Sequence, residues 1–335
     1  MTQERKILYL PPVGLSEDIL SPEAVSILEN LGTVIWNRLD RNYTNDELLE
    51  MIPGASVVVT SWGSPLITEE HVAAAQDLQI VGHAAGSVKT RLAVTGHERG
   101  IVLLSAADVI AESVAEYTLW AMLSGQRNLW PYEHSMKVER GWKPAPNWPG
   151  HSLYAKKVGL VSASMVGRRV IGLLKPFNCH VSVYDPYLSQ EDAQLLDVRS
   201  VSLEEIFADS DIISVHAPIT PETRKMITGA HFQSIRDGAL FVHTARSWVL
   251  DQDALVAELQ KNRFNAYIDV FEPEPLSPDH PIRDLDNVFL SPHVSGHTVE
   301  NRMCLVEEIV RDIQRFYNDE PLRLVVPYEK LKIMA

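Results

Sequence analysis

The run Val158–Asp185, VGLVSASMVGRRVIGLLKPFNCHVSVYD, decides how the rest of the chain is read. An apolar stretch, Val158–Val161, leads into small residues, and a helical pattern follows from Met165 to Leu174. A second apolar stretch, Val181–Tyr184, ends on Asp185. Strand, tight turn, helix and strand in that order form the unit that holds a dinucleotide, with its phosphates at the helix N-terminus. The expected G-x-G-x-x-G is worn: Ser162, Ala163, Ser164, Met165, Val166 and Gly167 occupy it, and only the third glycine survives. Asp185 stands 21 residues after Ser164. A carboxylate there can accept from an adenosine ribose and repel a 2′-phosphate, which favours NAD over NADP. The plainer reading of Asp185-Pro186 is a strand-end turn.

Outward from this run the same alternation continues in both directions. Downstream, strands are expected at Ile212–His216, Ala239–His243, Ala266–Asp269 and Val288–Leu290, with helices near Met165–Lys175, Leu203–Ala208, His231–Ser234 and Asp251–Lys261. With the two strands of the opening run, that makes the six of a doubly wound dinucleotide domain. Upstream, Lys6–Leu10, Thr33–Trp36, Ser56–Thr60, Leu78–Gly82 and Ile101–Leu104 read as strands. Ser21-Pro22-Glu23 opens a helix, and further helices fall near Asp46–Met51, Thr68–Ala75 and Lys89–His97. Strands alternating with helices imply parallel α/β sheets. Asp108–Leu123 reads as one long helix with few polar positions, and Glu300–Tyr317 as a last amphipathic one. Between Ser124 and Ala155 lies a different segment, with Trp130, Trp142, Trp148, Pro131, Pro144, Pro146 and Pro149. Such a segment wraps its own domain or reaches over a second subunit.

At 335 residues the chain has room for two cores, and 45% hydrophobic with 22% charged residues is a globular composition. A formal charge of −14 without any Lys/Arg run argues against nucleic acid and anionic membrane as partners. Cys179 and Cys304 suggest neither a disulfide framework nor a metal site. The first apolar run, Ile7–Leu10, is too short for a signal peptide, so the expectation is a cytoplasmic enzyme or binding protein. His293 and His297 are four residues apart, but Pro292 and Gly296 make that backbone a loop and no third ligand is evident, so no metal is expected.

Ligands of doubly wound sheets gather at the carboxyl ends of the strands. The loops there carry His216-Ala217-Pro218 with Thr223, His243-Thr244-Ala245-Arg246, Asp269 through Glu274, and Ser291-Pro292-His293 through Gly296. Hydride exchange at a hydroxyl carbon needs a cation to grip an anionic substrate, a proton donor near neutral pH, and a carboxylate to orient that donor. Arg246, His293 and Glu274 fit these posts. Taken singly, they also read as a surface Arg, a loop His and a turn Glu.

Together these motifs make the chain resemble the D-isomer-specific 2-hydroxyacid dehydrogenases. The resemblance rests on Ser113–Glu116, Gly159–Gly167, Tyr184-Asp185-Pro186, His216–Arg224 (HAPITPETR), Thr244-Ala245-Arg246, Asp269–Pro275 (DVFEPEP) and Ser291–Gly296 (SPHVSG), in order over nearly the whole length. It implies two doubly wound parallel-sheet domains with a cleft between them. A flavodoxin-like substrate domain would comprise residues 1–107 and 298–335, and a Rossmann NAD domain residues 108–297. It implies NAD as cofactor, a small 2-keto or 2-hydroxy acid as substrate, and a homodimer, which the apolar helix Asp108–Leu123 and the Trp/Pro segment also suggest. In that scheme Arg246 binds the substrate carboxylate and carbonyl, His293 is the acid/base and Glu274 its partner. The backbone of Gly82-His83-Ala84-Ala85-Gly86-Ser87 holds the carboxylate, with Trp62 nearby, while Thr244, Ala245 and Asp269 hold the nicotinamide. Gly86, His216, Ala217, Pro218, Thr223 and Gly296 complete the cofactor contacts. Glu274 beside His293 speaks against the formate-oxidising branch.

The worn fingerprint keeps a rival in view, a non-catalytic dinucleotide-sensing or protein-binding member of the same fold. If position 162 has φ > 0, serine costs on the order of 1–2 kcal/mol there. A serine hydroxyl donating to a phosphate oxygen would return about 1.5–3 kcal/mol. Weaker or shifted cofactor binding is therefore expected, not none.

Overall fold

The computed structural model describes residues 5–143 and 149–331. The chain divides into two compact units, Met1–Ile110 with His297–Ala335, and Ala111–Gly296.

The first unit is built on five parallel strands: β1 (Lys6–Tyr9), β2 (Thr33–Trp36), β3 (Ala55–Thr60), β4 (Ile80–His83) and β5 (Val102–Ser105). Their order is β2-β1-β3-β4-β5, the flavodoxin-like arrangement, so the winding reverses between β1 and β3. Between them run helices α1 (Val13–Ile19), α2 (Pro22–Leu31), α3 (Asn45–Met51), α4 (Glu69–Ala74) and α5 (Val94–Glu98). Ser21 caps α2 by accepting the Ala24 N–H at 3.1 Å, with Pro22 in the first turn, where its missing N–H costs nothing. Two details differ from the sequence reading. Helix α1 was not anticipated, since Pro11, Pro12 and Gly14 disguise its seven residues. The helix expected over Lys89–His97 forms only from Val94, because Arg91–Ala93 is drawn alongside Ile67: the Ile67 N–H donates to Arg91 O at 3.0 Å and the Ala93 N–H to Ile67 O at 2.8 Å.

Helix α6 (Ala107–Gln126) carries the chain into the second unit, and α7 (Leu129–Lys137) follows. The expected Trp/Pro segment is thus helical in its first part, while Pro144, Pro146 and Trp148 lie outside the described residues. Seven parallel strands follow: β6 (Lys157–Val161), β7 (His180–Tyr184), β8 (Arg199–Ser200), β9 (Ile212–Val215), β10 (Leu240–His243), β11 (Asn265–Ile268) and β12 (Val288–Leu290). They are joined through α8 (Met165–Leu174), α9 (Gln190–Leu196), α10 (Leu203–Asp209), α11 (Gly229–Ser234) and α12 (Gln252–Leu259). The order β12-β11-β10-β9-β6-β7-β8 is the Rossmann order with one strand added beyond β11. Six strands were expected. The seventh, β8, has two exposed edge residues, too short to leave a hydrophobic run. Helix α9 is equally hidden, being mostly polar.

Helix α13 (Val299–Tyr317) belongs to the first unit, where Leu305, Val306, Ile309, Val310 and Ile313 join the core around Ile7, Val57 and Ile80. Gly82 in β4 is needed for this packing: a Cβ there would lie 2.5 Å from Ile309 Cγ2. Buried Asp312 on α13 accepts the N–H groups of Arg323 and Leu324 at 2.8 and 2.6 Å, tying the following chain down.

Candidate functional site

In the second unit the winding reverses between β6 and β9, so the loops leaving these two strands flank the place where such sheets take ligands. The loop leaving β6 is Ser162–Ser164. Ser162 has φ of 83°, the left-handed region that favours glycine, and carries its side-chain strain there. Gly167 closes the turn: a Cβ on it would sit 2.2 Å from Ser162 O, so only glycine lets helix and strand approach this far. Ser164 caps α8 by accepting the Gly167 N–H at 3.3 Å. Its own hydroxyl proton is left to donate, beside the first-turn N–H groups of the helix.

The hydroxyl of Ser162 does something the sequence reading did not foresee. It donates to Asp185 Oδ2 at 3.0 Å, and the Ala163 N–H donates to the same oxygen at 2.9 Å. Asp185 Oδ1 accepts the Tyr187 N–H at 2.9 Å. The pairing follows from parallel register, because Val161 in β6 lies opposite Tyr184 in β7. The hydroxyl expected to reach a phosphate is turned to the ribose-side acid. The turn, the exposed first helical N–H groups and the carboxylate at the end of β7 are together the donor and acceptor set a dinucleotide requires; Met165 and Val166 form the first helical turn, and Pro186 is exposed.

On the other flank, the loop leaving β9 begins with His216 and Ala217, both buried. The loop is folded on itself: the Thr223 hydroxyl donates to Pro218 O at 2.6 Å and accepts the Thr220 N–H at 2.8 Å. His216 Nε2 meets Ser214 Oγ at 3.0 Å. The next strand ends in His243, also buried. Burial pushes both imidazoles down to about 3, so each is neutral across the physiological range. Thr244 Oγ1 lies 3.2 Å from Thr118 Oγ1 on α6, and Ala245 O accepts from Arg246 Nη1 at 2.7 Å.

Arg246, Glu274 and His293 line one cavity of about 370 Å³, with Ile219, Trp248 and Phe271 among its walls. His293 Nδ1 and Glu274 Oε2 are 2.8 Å apart, and Glu274 Oε1 accepts the Phe271 N–H at 2.9 Å, which fixes the carboxylate. Since a carboxylate only accepts, Nδ1 carries the proton and Nε2 is left for a ligand. Burial lowers the Arg246 pKa, and the nearby Glu274 charge opposes that shift.

Asp269 plays a part no motif announced. It is wholly buried, and its carboxylate accepts the Ser291 hydroxyl at 2.5 Å and the N–H groups of Val294 and Ser295 at 2.9 Å each. The His293 N–H donates to Asp269 O at 2.9 Å, and His293 itself has φ of 55°. Asp269, expected to hold the nicotinamide, has its carboxylate engaged with the loop that presents His293 and runs on to Gly296. The signal available in the sequence was an acid ending an apolar strand.

In the first unit the loops after β3 and β4 are tied together. The Ser61 hydroxyl donates to Ala84 O at 2.8 Å, and the Ala84 N–H donates to Thr60 O at 2.8 Å. His83 is buried, with Nδ1 2.9 Å from Thr60 Oγ1 and its pKa pushed down to about 3 by burial. Its Nδ1 thus faces the neighbouring strand. Ala85 is buried, Gly86 partly so, and Ser87 exposed; Gly86 O accepts from Ser105 at 3.1 Å. Trp62 is 41% exposed, with the Arg302 guanidinium 5.2 Å over its ring. Among the described residues, no group of three or more His, Cys, Asp or Glu is placed to hold a metal.

Residues 119–295 match the family described as D-isomer specific 2-hydroxyacid dehydrogenase, NAD binding domain. A D-3-phosphoglycerate dehydrogenase of Methanocaldococcus jannaschii is 32% identical over 324 residues, covering 95% of this chain and 60% of that protein. A similar enzyme of Archaeoglobus fulgidus is covered to 59%, so the chain spans about 60% of the length of these curated relatives. A hydroxypyruvate reductase of Thermotoga maritima is 31% identical over 301 residues, 88% of this chain and 95% of that one. Among solved structures, a phosphoglycerate oxidoreductase from Rhizobium etli superposes with a TM-score of 0.80 over 96% of this chain and 98% of the other, at 23% identity, a likeness of fold.

Proposed function

Because the chain belongs to the D-isomer specific 2-hydroxyacid dehydrogenase family, we propose that it is an NAD(H)-dependent oxidoreductase interconverting a 2-keto acid and a D-2-hydroxy acid. The observation that carries this reading is the convergence of Arg246, Glu274 and His293 on one cavity, with the His–Glu contact at 2.8 Å. Arg246 grips the substrate carboxylate with its guanidinium fork and polarises the carbonyl. Glu274 orients the imidazole through Nδ1. His293 Nε2 donates a proton to the carbonyl oxygen in reduction and takes it from the hydroxyl in oxidation. The cofactor, when bound, supplies or accepts the hydride. Ser162–Val166 and Asp185 would hold its adenosine half, and Thr244–Ala245 with the His216–Thr223 loop its nicotinamide half.

The walls formed by Ile219, Trp248 and Phe271 support a substrate with a partly apolar side group. The test is NADH oxidation across a broad panel of 2-keto acids, with His293→Ala beside the parent. A His293→Ala rate lower by about 10²–10⁴ supports the assignment. An unchanged rate sinks it, and NADH binding without any turnover would favour the sensing role instead.

We likewise assign a homodimer through the face of α6 and α7. Leu129, Met136 and Val138 are exposed there beside Trp120 and Trp130. Trp130 also packs edge-on against Phe289 within the chain. A cytoplasmic location fits two unpaired cysteines and the absence of a disulfide framework. No helix among the described residues is long and apolar enough to cross a membrane.

A further inference from the structure

We propose that Ser162 is a positioning residue for cofactor selection: its hydroxyl pins the Asp185 carboxylate and so sets the preference for NADH over NADPH. The inference rests on the dinucleotide reading above and concerns a residue that departs from the fingerprint.

Three observations carry it. First, Ser162 occupies a left-handed backbone position, φ 83°, where glycine is the unstrained choice. A side chain kept there needs a compensating contact, and its hydroxyl has one in the 3.0 Å donation to Asp185 Oδ2. Second, that oxygen also accepts the Ala163 N–H at 2.9 Å, so both of its acceptor positions are taken by one turn of chain. Third, Oδ1 already accepts the Tyr187 N–H at 2.9 Å, which leaves a single acceptor position on the whole carboxylate.

The consequence for a ligand is specific. A carboxylate held by three donors, two of them on Oδ2, resists swinging aside to admit a 2′-phosphate, so like-charge repulsion acts on that phosphate. It keeps one acceptor position for a ribose hydroxyl, with or without the Ser162 hydroxyl. Ser162 therefore acts on discrimination more than on affinity. A glycine would remove one of the three donors, leaving the carboxylate held by the Ala163 and Tyr187 N–H groups alone and freer to turn.

The test is equilibrium titration of the full chain with NADH and with NADPH, read by dinucleotide fluorescence and needing no turnover. The parent is expected to bind NADH at least tenfold more tightly than NADPH. Ser162→Gly, which relieves the backbone, should cut that ratio fivefold or more while moving NADH affinity less than threefold. Ser162→Ala, which keeps the Cβ, should cut the ratio similarly if it folds. In an Asp185→Ala background, Ser162→Gly should move the ratio no further. A ratio unmoved within twofold in Ser162→Gly overturns the inference, as does an effect that persists in full without Asp185. A parent chain that binds neither dinucleotide overturns the cofactor reading, and this inference with it.

Discussion

Lowering the pH from 8 to 5 sets the buried histidines of the second unit against its stability. His216 and His243 have values near 3 in the folded chain, against 6.5 for an unburied imidazole. The folded value is depressed, so the stabilisation is complete above 6.5 and drains away as the pH falls towards 3. At pH 5 the unfolded chain has protonated both rings and the folded chain neither. Each ring then costs about 2 kcal/mol, and the pair about 4 kcal/mol, of the order of a third or more of a typical domain's stability. His83 adds a similar loss in the first unit, where burial also pushes it down to about 3. The assay is urea unfolding at half-unit steps between pH 8 and 5, for the parent and for His243→Asn. Asparagine changes the stability at pH 8, but the diagnostic is the slope. Between pH 6 and 5 the variant should lose about 1.4 kcal/mol less per pH unit than the parent, one proton's worth. Parallel slopes would mean that His243 is protonated in the native state or is hydrated, and would refute the reasoning.

Three further outcomes follow from the geometry. Gly167→Ala places a Cβ 2.2 Å from Ser162 O and should cost about 1–3 kcal/mol, lowering the thermal midpoint by several degrees and weakening dinucleotide binding in titration. Ser164→Gly removes only a helix cap, so stability should fall by a few tenths of a kcal/mol and NADH affinity should stay within about tenfold; a larger loss would show that the Ser164 hydroxyl is itself a phosphate ligand. Light scattering should give twice the 37.5 kDa chain mass, and Trp120→Glu with Trp130→Glu should return the single-chain value; a single-chain mass for the parent removes the dimer.

Strands were legible in the sequence because those of a parallel sheet are buried on both faces and leave short apolar runs, such as Val57–Val59 and Ile212–Val215. Helices with a wide apolar stripe, α8 and α13, were legible for the same reason. What escaped was short or polar: α1, α9 and the two-residue edge strand β8, whose formation depends on neighbours and not on their own pattern. Lys89–Leu92 was misread because a backbone contact with distant Ile67 outweighs local helix preference. The triad Arg246, Glu274 and His293 was readable as residue types at strand ends. Their meeting was not, since a separation of 19 positions between Glu274 and His293 says nothing of the 2.8 Å contact. Ser162 is the sharpest case. Its positive φ was foreseeable from the fingerprint, but the destination of its hydroxyl depends on how β6 and β7 are aligned.

The Asp269 clamp bears on time as well as on place. The amide protons of Val294 and Ser295 point at a carboxylate that solvent does not reach. They can exchange with deuterium only when that loop lets go of the strand, and a charge in such a place resists letting go unless the surrounding sheet opens with it. The loop that presents His293 would then be among the slowest-exchanging irregular segments of its unit. Whatever must move during a catalytic cycle would have to move around a fixed histidine.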